Sequence, residues 1–385
     1  MSGFFKDMEI LTGATIYTPL EVLCPGTVCI EGGYIAKIFP GVDKNGENLR
    51  GKIIGPGLVD LHIHGFKGYD VNAGTAEALL SLAHELIRYG VTAFIPAAVT
   101  APHEELLRIS KAVAEAMELQ RTGEGGARIL GLELEGPYIN PERRGAQNSE
   151  FIRPPNWGEF LEYWRASGGK IRAITLAPEL PGALAFIEKA AGLGVVVSLG
   201  HTNATYEEAK AAILAGATRI THLFNAMPPF HHRCPGIVLA SLESRVHLGI
   251  IADLVHISAP VLRFVWKVSG AERVFLMSDA IPAAGLEDGI YSLGGLKVQV
   301  HSGVARLTDG TLAGSTITMD QGMRNLLAIG IPLMESWIMA SYTPAQACRE
   351  TNIGLLRPGM MADLVVLDAE SLRVERVYVG GQRVL

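Results

Sequence analysis

Histidines and carboxylates follow apolar runs at several separate points along this chain. The residues in question are His62, His64, Glu135, His201, His222, His256 and Asp279. Five of the 11 histidines stand at such positions, which is not how scattered surface histidines would be distributed. Imidazole and carboxylate groups ligate metal ions and also transfer protons, so these positions could carry metal chemistry, acid–base chemistry or both.

The strongest combination is Glu135 with His201 and His222. The two histidines end successive apolar runs, at a separation that suits one strand–helix–strand step. Two imidazoles and one carboxylate are a ligand set for Zn²⁺ or Fe²⁺ that leaves a coordination position open for water. Taken singly, each histidine could instead be a hydrogen-bonded core residue.

His62 and His64 form a His-x-His pair in which both side chains can point to the same side of a strand. Alone, that pair is also compatible with two structural histidines. Asp279, in "LMSDAIPAAG", is a carboxylate whose burial without a partner would be costly. It could take a proton from a water activated by a metal and deliver it to a leaving amine. The alternative for Asp279 is a helix N-cap.

The elements that must position these residues alternate between apolar runs and amphipathic helical patterns. One helical pattern, "TYEEAKAAILAGA", begins with a capping-box signature formed by Thr205 and Glu208. Continuous apolar strands that alternate with helices predict parallel strands with right-handed crossovers, and eight runs predict a (β/α)8 barrel of the α/β class. In such barrels the chemistry lies at the carboxyl ends of the strands. The runs cover residues 52–65, 91–100, 127–136, 171–179, 195–202, 219–226, 247–256 and 273–280.

Both ends of the chain have a different pattern from the middle. They alternate, are rich in Val and Ile, and place Gly at turn positions, which is typical of short strands. We therefore expect a small β-sandwich domain built from residues 1–54 and 356–385. Residues 55–355 would form the barrel, a metal-dependent hydrolase domain.

Composition limits the classes of partner and the compartment. The chain has 385 residues and a net charge of −6 without a strong basic block, which does not indicate binding to nucleic acid or to an anionic membrane. It has no apolar stretch of about 18 residues, so no transmembrane helix is expected, and its charged N-terminus does not suggest a secretory signal. The four cysteines form no Cys-x-x-Cys pair, which fits a reducing cytoplasm.

Motifs spread over nearly the whole chain resemble the amidohydrolase superfamily, and within it the family of N-acetylglucosamine-6-phosphate deacetylases. They include "PGLVDLHIHGFKGYD", "GLELEGPYINPERRGAQ", "SLGHTNATY", "THLFNAMPPFHHRCPG", "MSDAIPAAG" and "DGTLAGSTITMDQ", in the family's order. Many amidohydrolases have a carboxylated lysine as bridging ligand where the "LEGP" motif places Glu135. The deacetylases are similar to one another in having Glu there, which makes the resemblance specific.

The resemblance implies hydrolysis of N-acetyl-D-glucosamine 6-phosphate to D-glucosamine 6-phosphate and acetate by a metal-bound hydroxide. Asp279 would be the general base and acid, and His256 would bind the sugar and help to polarise the acetyl carbonyl. Glu135 would ligate the metal with two histidines, and a histidine pair would allow a second ion, so that one or two Zn or Fe ions are expected per subunit. The histidine ligands would be His201 and His222 for the first ion, and His62 and His64 for the second.

The resemblance also implies a set of substrate contacts. Arg233 would hold the substrate phosphate, often from the neighbouring subunit of a homodimer, and a guanidinium suits phosphate; a solvated loop arginine is the alternative. Gln147 stands where some family members have His, and it cannot carry charge. The expected contacts are Ala146, Gln147, Asn225, Ala226, Arg233, His256, Leu312, Ala313 and Gly314.

Other functions stay open at this point. The nearest is deacetylation of a related N-acetyl amino sugar phosphate, such as N-acetylgalactosamine 6-phosphate. A cyclic amide hydrolase or an N-acyl amino acid deacylase is more distant. A non-catalytic barrel module disagrees with the complete set of ligands and the retained Asp279.

Overall fold

The computed structural model describes residues 8–18 and 21–385. The expectation that the N-terminus is not a secretory signal falls largely on residues 1–7, outside the described residues. Across the described part of the chain, no helix is both long enough and apolar enough to cross a membrane.

A barrel of eight parallel strands forms the centre of the described chain, and it confirms the predicted fold class. Nearly every residue of these strands is buried, because the strands face one another inside and helices cover them outside. This double burial explains why the runs are continuously apolar. In chain order the strands are Leu58–Ile63, Val91–Ala98, Leu132–Glu135 (preceded by the short Arg128–Ile129), Ile171–Leu176, Val196–Leu199, Ala217–Ile220, His247–Ile250 and Val274–Leu276.

The first and eighth barrel strands meet just beyond their carboxyl ends. The backbone N–H of Asp279 donates to the carbonyl of His62 at 2.9 Å, and that of His64 donates to the carbonyl of Ala280 at 2.8 Å. The two strand-end segments that carry candidate site residues are therefore fixed against each other by main-chain hydrogen bonds.

Helices connect the barrel strands and cover the barrel. The helix Tyr206–Leu214 begins at Thr205, whose side chain accepts from the backbone of Glu208 while the Glu208 carboxylate accepts from the backbone of Thr205, so the predicted capping box is confirmed. The α-helices are Ala76–Ile87, His103–Thr122, Trp157–Ala166, Ala183–Gly192, Tyr206–Leu214, Gly236–Glu243, Ala259–Ser269, Met319–Ala328, Leu333–Ala340 and Tyr342–Ala347, and the 3-10 helices are Val71–Ala73, Pro141–Arg143 and Ser149–Phe151.

Strands from both chain ends form a separate sheet with its own apolar cluster, as the sequence predicts. The apolar run 52–65 divides between the two sheets, because Lys52–Pro56 pairs with Leu364–Asp368 here while the following strand enters the barrel. The domain ranges 1–54 with 356–385, and 55–355, stay a prediction. The strands of this sheet are Glu9–Tyr17, Val22–Glu31, Tyr34–Pro40, Glu47–Asn48, Lys52–Pro56, Leu364–Asp368, Val374–Val379 and Gln382–Arg383.

A three-stranded antiparallel sheet that was not predicted follows the last barrel strand. Its buried side chains, among them Leu293 and Val298, pack against Val99 and Ile281 near the carboxyl ends of the barrel strands. Its strands are short and half exposed, so they lack the continuous apolar runs that identify the barrel strands. They are Gly289–Leu293, Leu296–His301 and Val304–Leu307, and a further two-stranded pair joins Gly65–Phe66 to Tyr69–Asp70.

Candidate metal centre and pocket

Three of the strand-end candidates have left-handed backbone conformations. The φ angles are 49° at His201, 29° at His222 and 50° at Asp279. A residue other than glycine in this region costs about 1–3 kcal/mol, and such strain concentrates at functional sites. Each of these residues turns the chain sharply just after its barrel strand, where its side chain lines the pocket at the barrel mouth.

Glu135, His201 and His222 form one compact, buried group. Glu135 Oε1 lies 3.1 Å from His201 Nε2 and 3.0 Å from His222 Nε2. The two Nε2 atoms are only 3.2 Å apart. The sequence predicted this trio, and the structure brings its ligand atoms together around one point.

His62, His64 and Asp279 form a second group beside the first. Asp279 Oδ1 lies 3.1 Å from His64 Nε2 and 3.4 Å from His62 Nε2. Glu135 joins the two groups, because its Oε1 lies 3.3 Å from His62 Nε2 and its Oε2 lies 3.4 Å from His64 Nε2. One carboxylate is thus shared between two neighbouring clusters of ligand atoms.

Hydrogen bonds made by the Nδ1 atoms of His201 and His64 show that the Nε2 atoms are available to bind a metal ion. His201 Nδ1 donates to the carbonyl of Arg143 and His64 Nδ1 donates to the carbonyl of Ala97, both at 2.8 Å. Because a carbonyl only accepts, the Nε2 atom of each neutral ring keeps its lone pair. Lone pairs and carboxylate oxygens that converge in this way repel one another unless a cation lies among them. Nitrogen and oxygen donors of this kind fit divalent Zn or Fe.

Both central carboxylates are held in their ionised form. Burial alone would raise the pKa of Glu135, but His62 and His201 hold it well below its usual range when their rings are protonated and take the place of a bound cation. Burial would likewise raise the pKa of Asp279, and its contacts with His62 and His64 lower it instead. Each group is therefore ionised and available as an anionic ligand at neutral pH.

His256 is oriented by an acidic residue that sequence reasoning did not identify. His256 Nδ1 donates to Asp253 Oδ2 at 2.7 Å, and the His256 backbone donates to Asp253 Oδ1 at 2.8 Å. Burial favours a raised pKa for Asp253, but these hydrogen bonds lower it below its ordinary value. The remaining ring nitrogen, Nε2, is the one left for a ligand in the pocket that His256 lines. The Asp-x-x-His spacing in "IADLVH" is the signal that could have indicated this pair.

Gln147 contacts the metal group as well as the pocket. Its Oε1 accepts from the backbone of Thr100 at 2.7 Å, which fixes the amide so that Nε2 donates to Glu135 Oε2. The sequence predicted Gln147 only as a substrate contact. In the structure it also holds the carboxylate that joins the two ligand groups.

A pocket of about 180 Å³ opens over these groups at the carboxyl ends of the barrel strands. Gly145, Leu293 and Thr311 line it although the sequence did not single them out. Gly145 has a φ of 55°, and a Cβ there would lie 3.2 Å from His201, which explains the glycine in "RRGAQ". The predicted residues that line the pocket are His64, Glu135, Ala146, Gln147, His201, His222, Asn225, Ala226, His256, Asp279, Leu312 and Gly314.

Three predicted site residues do not line this pocket. His62 is fully buried behind it, in the second ligand group. Ala313 is buried too, and its backbone N–H donates to the carbonyl of Ala305 at 3.1 Å. Arg233 is exposed, with its Nη1 at 3.0 Å from His232 Nε2, so it does not reach the pocket of its own chain.

A layer of buried charge lies beneath the ligand groups. Glu133 and Arg219 are fully buried and in ion-pair contact, and Asp60 accepts from the backbone of Ser278 at 3.1 Å. Burial raises the pKa of Asp60 to about 6. The sequence did not lead us to single out Asp60, Glu133 or Arg219. The alternation in "LELE" was an available signal, since Glu133 and Glu135 face the same side of their strand.

Comparison with known proteins gives consistent relatives over almost the whole chain. Residues 53–384 match the model of the amidohydrolase family. An N-acetylglucosamine-6-phosphate deacetylase of Lysinibacillus sphaericus is 36% identical over 363 residues, covering 93% of each chain. An N-acetylgalactosamine-6-phosphate deacetylase of Escherichia coli O157:H7 is 37% identical, covering 92% of this chain and 93% of the relative.

Solved structures give the same result. A mutant N-acetyl-D-glucosamine-6-phosphate deacetylase of Mycobacterium smegmatis, in complex with N-acetyl-D-glucosamine 6-phosphate, superimposes with a TM-score of 0.93. It is 37% identical and the match covers 98% of this chain and all of that one. The corresponding enzyme of Thermotoga maritima is 34% identical with a TM-score of 0.90, and the match covers 98% of this chain and 99% of that one.

Proposed function

The chain belongs to the amidohydrolase family, and we propose that it hydrolyses N-acetyl-D-glucosamine 6-phosphate to D-glucosamine 6-phosphate and acetate. The arrangement of the site residues is the observation that supports this reaction. Glu135, His201 and His222 converge on a point at the wall of an open pocket, and the ionised Asp279 stands beside them.

A divalent cation held by Glu135, His201 and His222 would polarise the acetyl carbonyl and make a nearby water more acidic when bound. The ligand atoms suit Zn²⁺ and Fe²⁺ equally. The adjoining group of His62, His64 and Asp279 offers a second position, so we propose one or two ions per subunit.

Asp279 serves as the proton carrier. As a carboxylate it accepts the proton of the attacking water. It then donates this proton to the amide nitrogen as the C–N bond breaks, so that the amine leaves in a neutral form. Its place in the pocket wall supports the first of these steps, and its lowered pKa means that it is ionised before the water attacks.

His256 stabilises the carbonyl oxygen as negative charge develops on it. Asp253 accepts from Nδ1 and so turns Nε2 toward the pocket. Because Nδ1 already carries a hydrogen, Nε2 donates to the oxyanion in the imidazolium form of His256, whose charge the Asp253 carboxylate balances. A fixed donor aimed at a developing oxyanion contributes more in the transition state than in the ground state.

We propose further that Arg233 binds the phosphate of a neighbouring subunit in a homodimer. Arg233 contacts His232 and lies outside the pocket of its own chain. Phe230, close to Arg233 in the sequence, lines a surface hollow together with Phe264 and His256. Phe230 is 54% exposed and Phe264 is 51% exposed, as expected of side chains that a second subunit covers.

N-acetylgalactosamine 6-phosphate is a second candidate substrate. It is favoured by the relative from Escherichia coli O157:H7, which is as similar to this chain as several relatives named for the glucosamine sugar. A reducing cytoplasm, expected from the cysteine pattern, stays a prediction.

The test is acetate release from three substrates, namely the two phosphorylated N-acetyl sugars and unphosphorylated N-acetylglucosamine. Each reaction is run as prepared, after treatment with a chelator, and after the metal is restored. We expect fast, chelator-sensitive release from N-acetylglucosamine 6-phosphate and little from the unphosphorylated sugar. Faster release from the galactosamine substrate would favour the second candidate. Release from none of the three, by protein that holds metal, would contradict the proposed substrates.

A further inference from the structure

A buried ion pair beneath the ligand groups has no part in the mechanism described above. Glu133 lies on the third barrel strand, Arg219 lies on the sixth, and both are fully buried. A buried ion pair is weak evidence for stability, because apolar side chains of similar size often do as well. The role of this pair is therefore to be found in what it contacts.

The two oxygens of Glu133 have different partners. Oε1 is in ion-pair contact with Arg219 Nη2 and accepts from the hydroxyl of Thr175 at 2.7 Å. Oε2 faces His62 Nδ1 at an ion-pair distance of 3.3 Å, and neither of these two atoms has a hydrogen-bond partner in the described chain. One side of the carboxylate is thus anchored while the other side is presented to an imidazole.

This arrangement suits a His62 ring whose Nδ1 carries the hydrogen. Carboxylate oxygens face both ring nitrogens. A neutral ring that donates from Nδ1 to Glu133 therefore presents the lone pair of Nε2 to a cation held with Asp279 and Glu135. That Nε2 lies 3.4 Å from Asp279 Oδ1 and 3.3 Å from Glu135 Oε1. We propose that Glu133, anchored by Arg219 and Thr175, is the positioning residue that holds His62 in the tautomer and orientation needed to ligate a second divalent cation.

The inference rests on the proposed metal-dependent function, but it concerns the His62, His64 and Asp279 group rather than the substrate. His64 and His201 have backbone carbonyls as Nδ1 partners, which no side-chain substitution removes. His62 depends on a side chain instead. Because Arg219 offsets the charge of Glu133, the effect of the pair on the second cation is one of orientation and not of added negative charge.

The test replaces Glu133 with glutamine, which has nearly the same shape. Thr175 donates to Oε1 at position 133 and Arg219 lies in ion-pair contact with the same oxygen, so they hold the carbonyl of the new amide and leave its NH₂ facing His62. His62 Nδ1 must then accept, and the ring hydrogen moves to Nε2, where it blocks ligation. We expect Glu133→Gln to lose about one metal ion per subunit after dialysis and to bind the second ion about 10- to 100-fold more weakly. Metal is counted by mass spectrometry and affinity by titration, both without substrate.

Two further variants separate orientation from general damage. In Glu133→Gln/Arg219→Met the amide is free to turn its carbonyl to His62, so the second ion should return at least in part. Asp363→Asn alters another ion pair, in which buried Asp363 contacts the partly exposed Arg128 with an Oδ2 to Nη1 distance of 2.6 Å. This variant should keep the metal content of the unaltered protein.

Three results would overturn the inference. The first is that Glu133→Gln keeps two ions of normal affinity. The second is that Asp363→Asn loses as much metal as Glu133→Gln. The third is that the unaltered protein and Glu133→Gln each hold a single ion. If Glu133→Gln fails to fold, the same metal measurements are made on the double variant Glu133→Leu/Arg219→Met, which replaces the ion pair with apolar side chains. It leaves His62 without an acceptor, and normal binding of the second ion there would also refute the role of Glu133. A wrong substrate would leave these metal counts unchanged, so the two proposals fail separately.

Discussion

Replacement of Asp279 by asparagine tests the proton transfers most directly. Asparagine has nearly the same size and can keep the hydrogen bond that the residue 279 backbone donates to the carbonyl of His62. It can neither accept the proton of the attacking water nor deliver one to the leaving nitrogen. The fold should persist while the reaction stops.

The size of the effect follows from the two roles of this carboxylate. General acid–base catalysis typically contributes about 10²- to 10⁴-fold, which corresponds to about 3–5.5 kcal/mol in activation free energy. Since the same group acts first as base and then as acid, we expect a decrease in kcat near the upper end, about 10⁴-fold. The group of Glu135, His201 and His222 does not include Asp279, so at least one metal ion should stay bound.

The assay measures acetate release at saturating N-acetylglucosamine 6-phosphate, with metal content determined on the same preparation. Asp43→Asn, in a loop of the terminal sheet, is a matched control and should have normal kcat. A kcat for Asp279→Asn within about tenfold of normal, in protein that keeps its metal, would refute the role of Asp279 as proton carrier.

Four other predictions concern the phosphate, the oxyanion and the dimer. Arg233→Ala should raise KM for the phosphorylated sugar by about 10- to 150-fold, because a hydrogen bond to a charged group contributes about 1.5–3 kcal/mol, and it should not change KM for the unphosphorylated sugar. Asp253→Asn should lower kcat/KM by a similar factor with unchanged metal content, since His256 loses its anionic acceptor; unaltered kinetics would show that Asp253 is not needed to orient it. Phe264→Glu should shift the protein from dimer to monomer in analytical ultracentrifugation, and a species already monomeric before substitution would contradict the proposed interface. Mixed dimers of Arg233→Ala and Asp279→Asn subunits should recover activity, because one pocket then has both residues.

The barrel and the location of its site were predictable from the sequence because both depend on local pattern. Continuous apolar runs reflect strands that are buried on both faces, and capping signals such as Thr205 with Glu208 act within a single helical turn. Parallel strands in a barrel all end at the same rim. Strand-end residues such as Glu135, His201 and His222 were therefore expected to converge without knowledge of any distance.

The sequence was less informative where the pattern was short or exposed. The three-stranded sheet over residues 289–307 was missed, since its strands are short and half exposed. The apolar run 52–65 predicts a single strand, but Lys52–Pro56 belongs to the terminal sheet. The Gly55-Pro56-Gly57 sequence is the local signal that could have indicated this change of sheet.

Tertiary structure alone decided which partner each site residue has. Glu133 and Arg219 pair across the barrel, Gln147 holds Glu135, and Arg233 lies outside the pocket of its own chain. These outcomes depend on barrel closure and loop conformation, which bring together atoms from distant parts of the chain. Residue types and their spacing determine what chemistry is available, but the direction of each polar atom follows from the hydrogen bonds that the folded barrel permits.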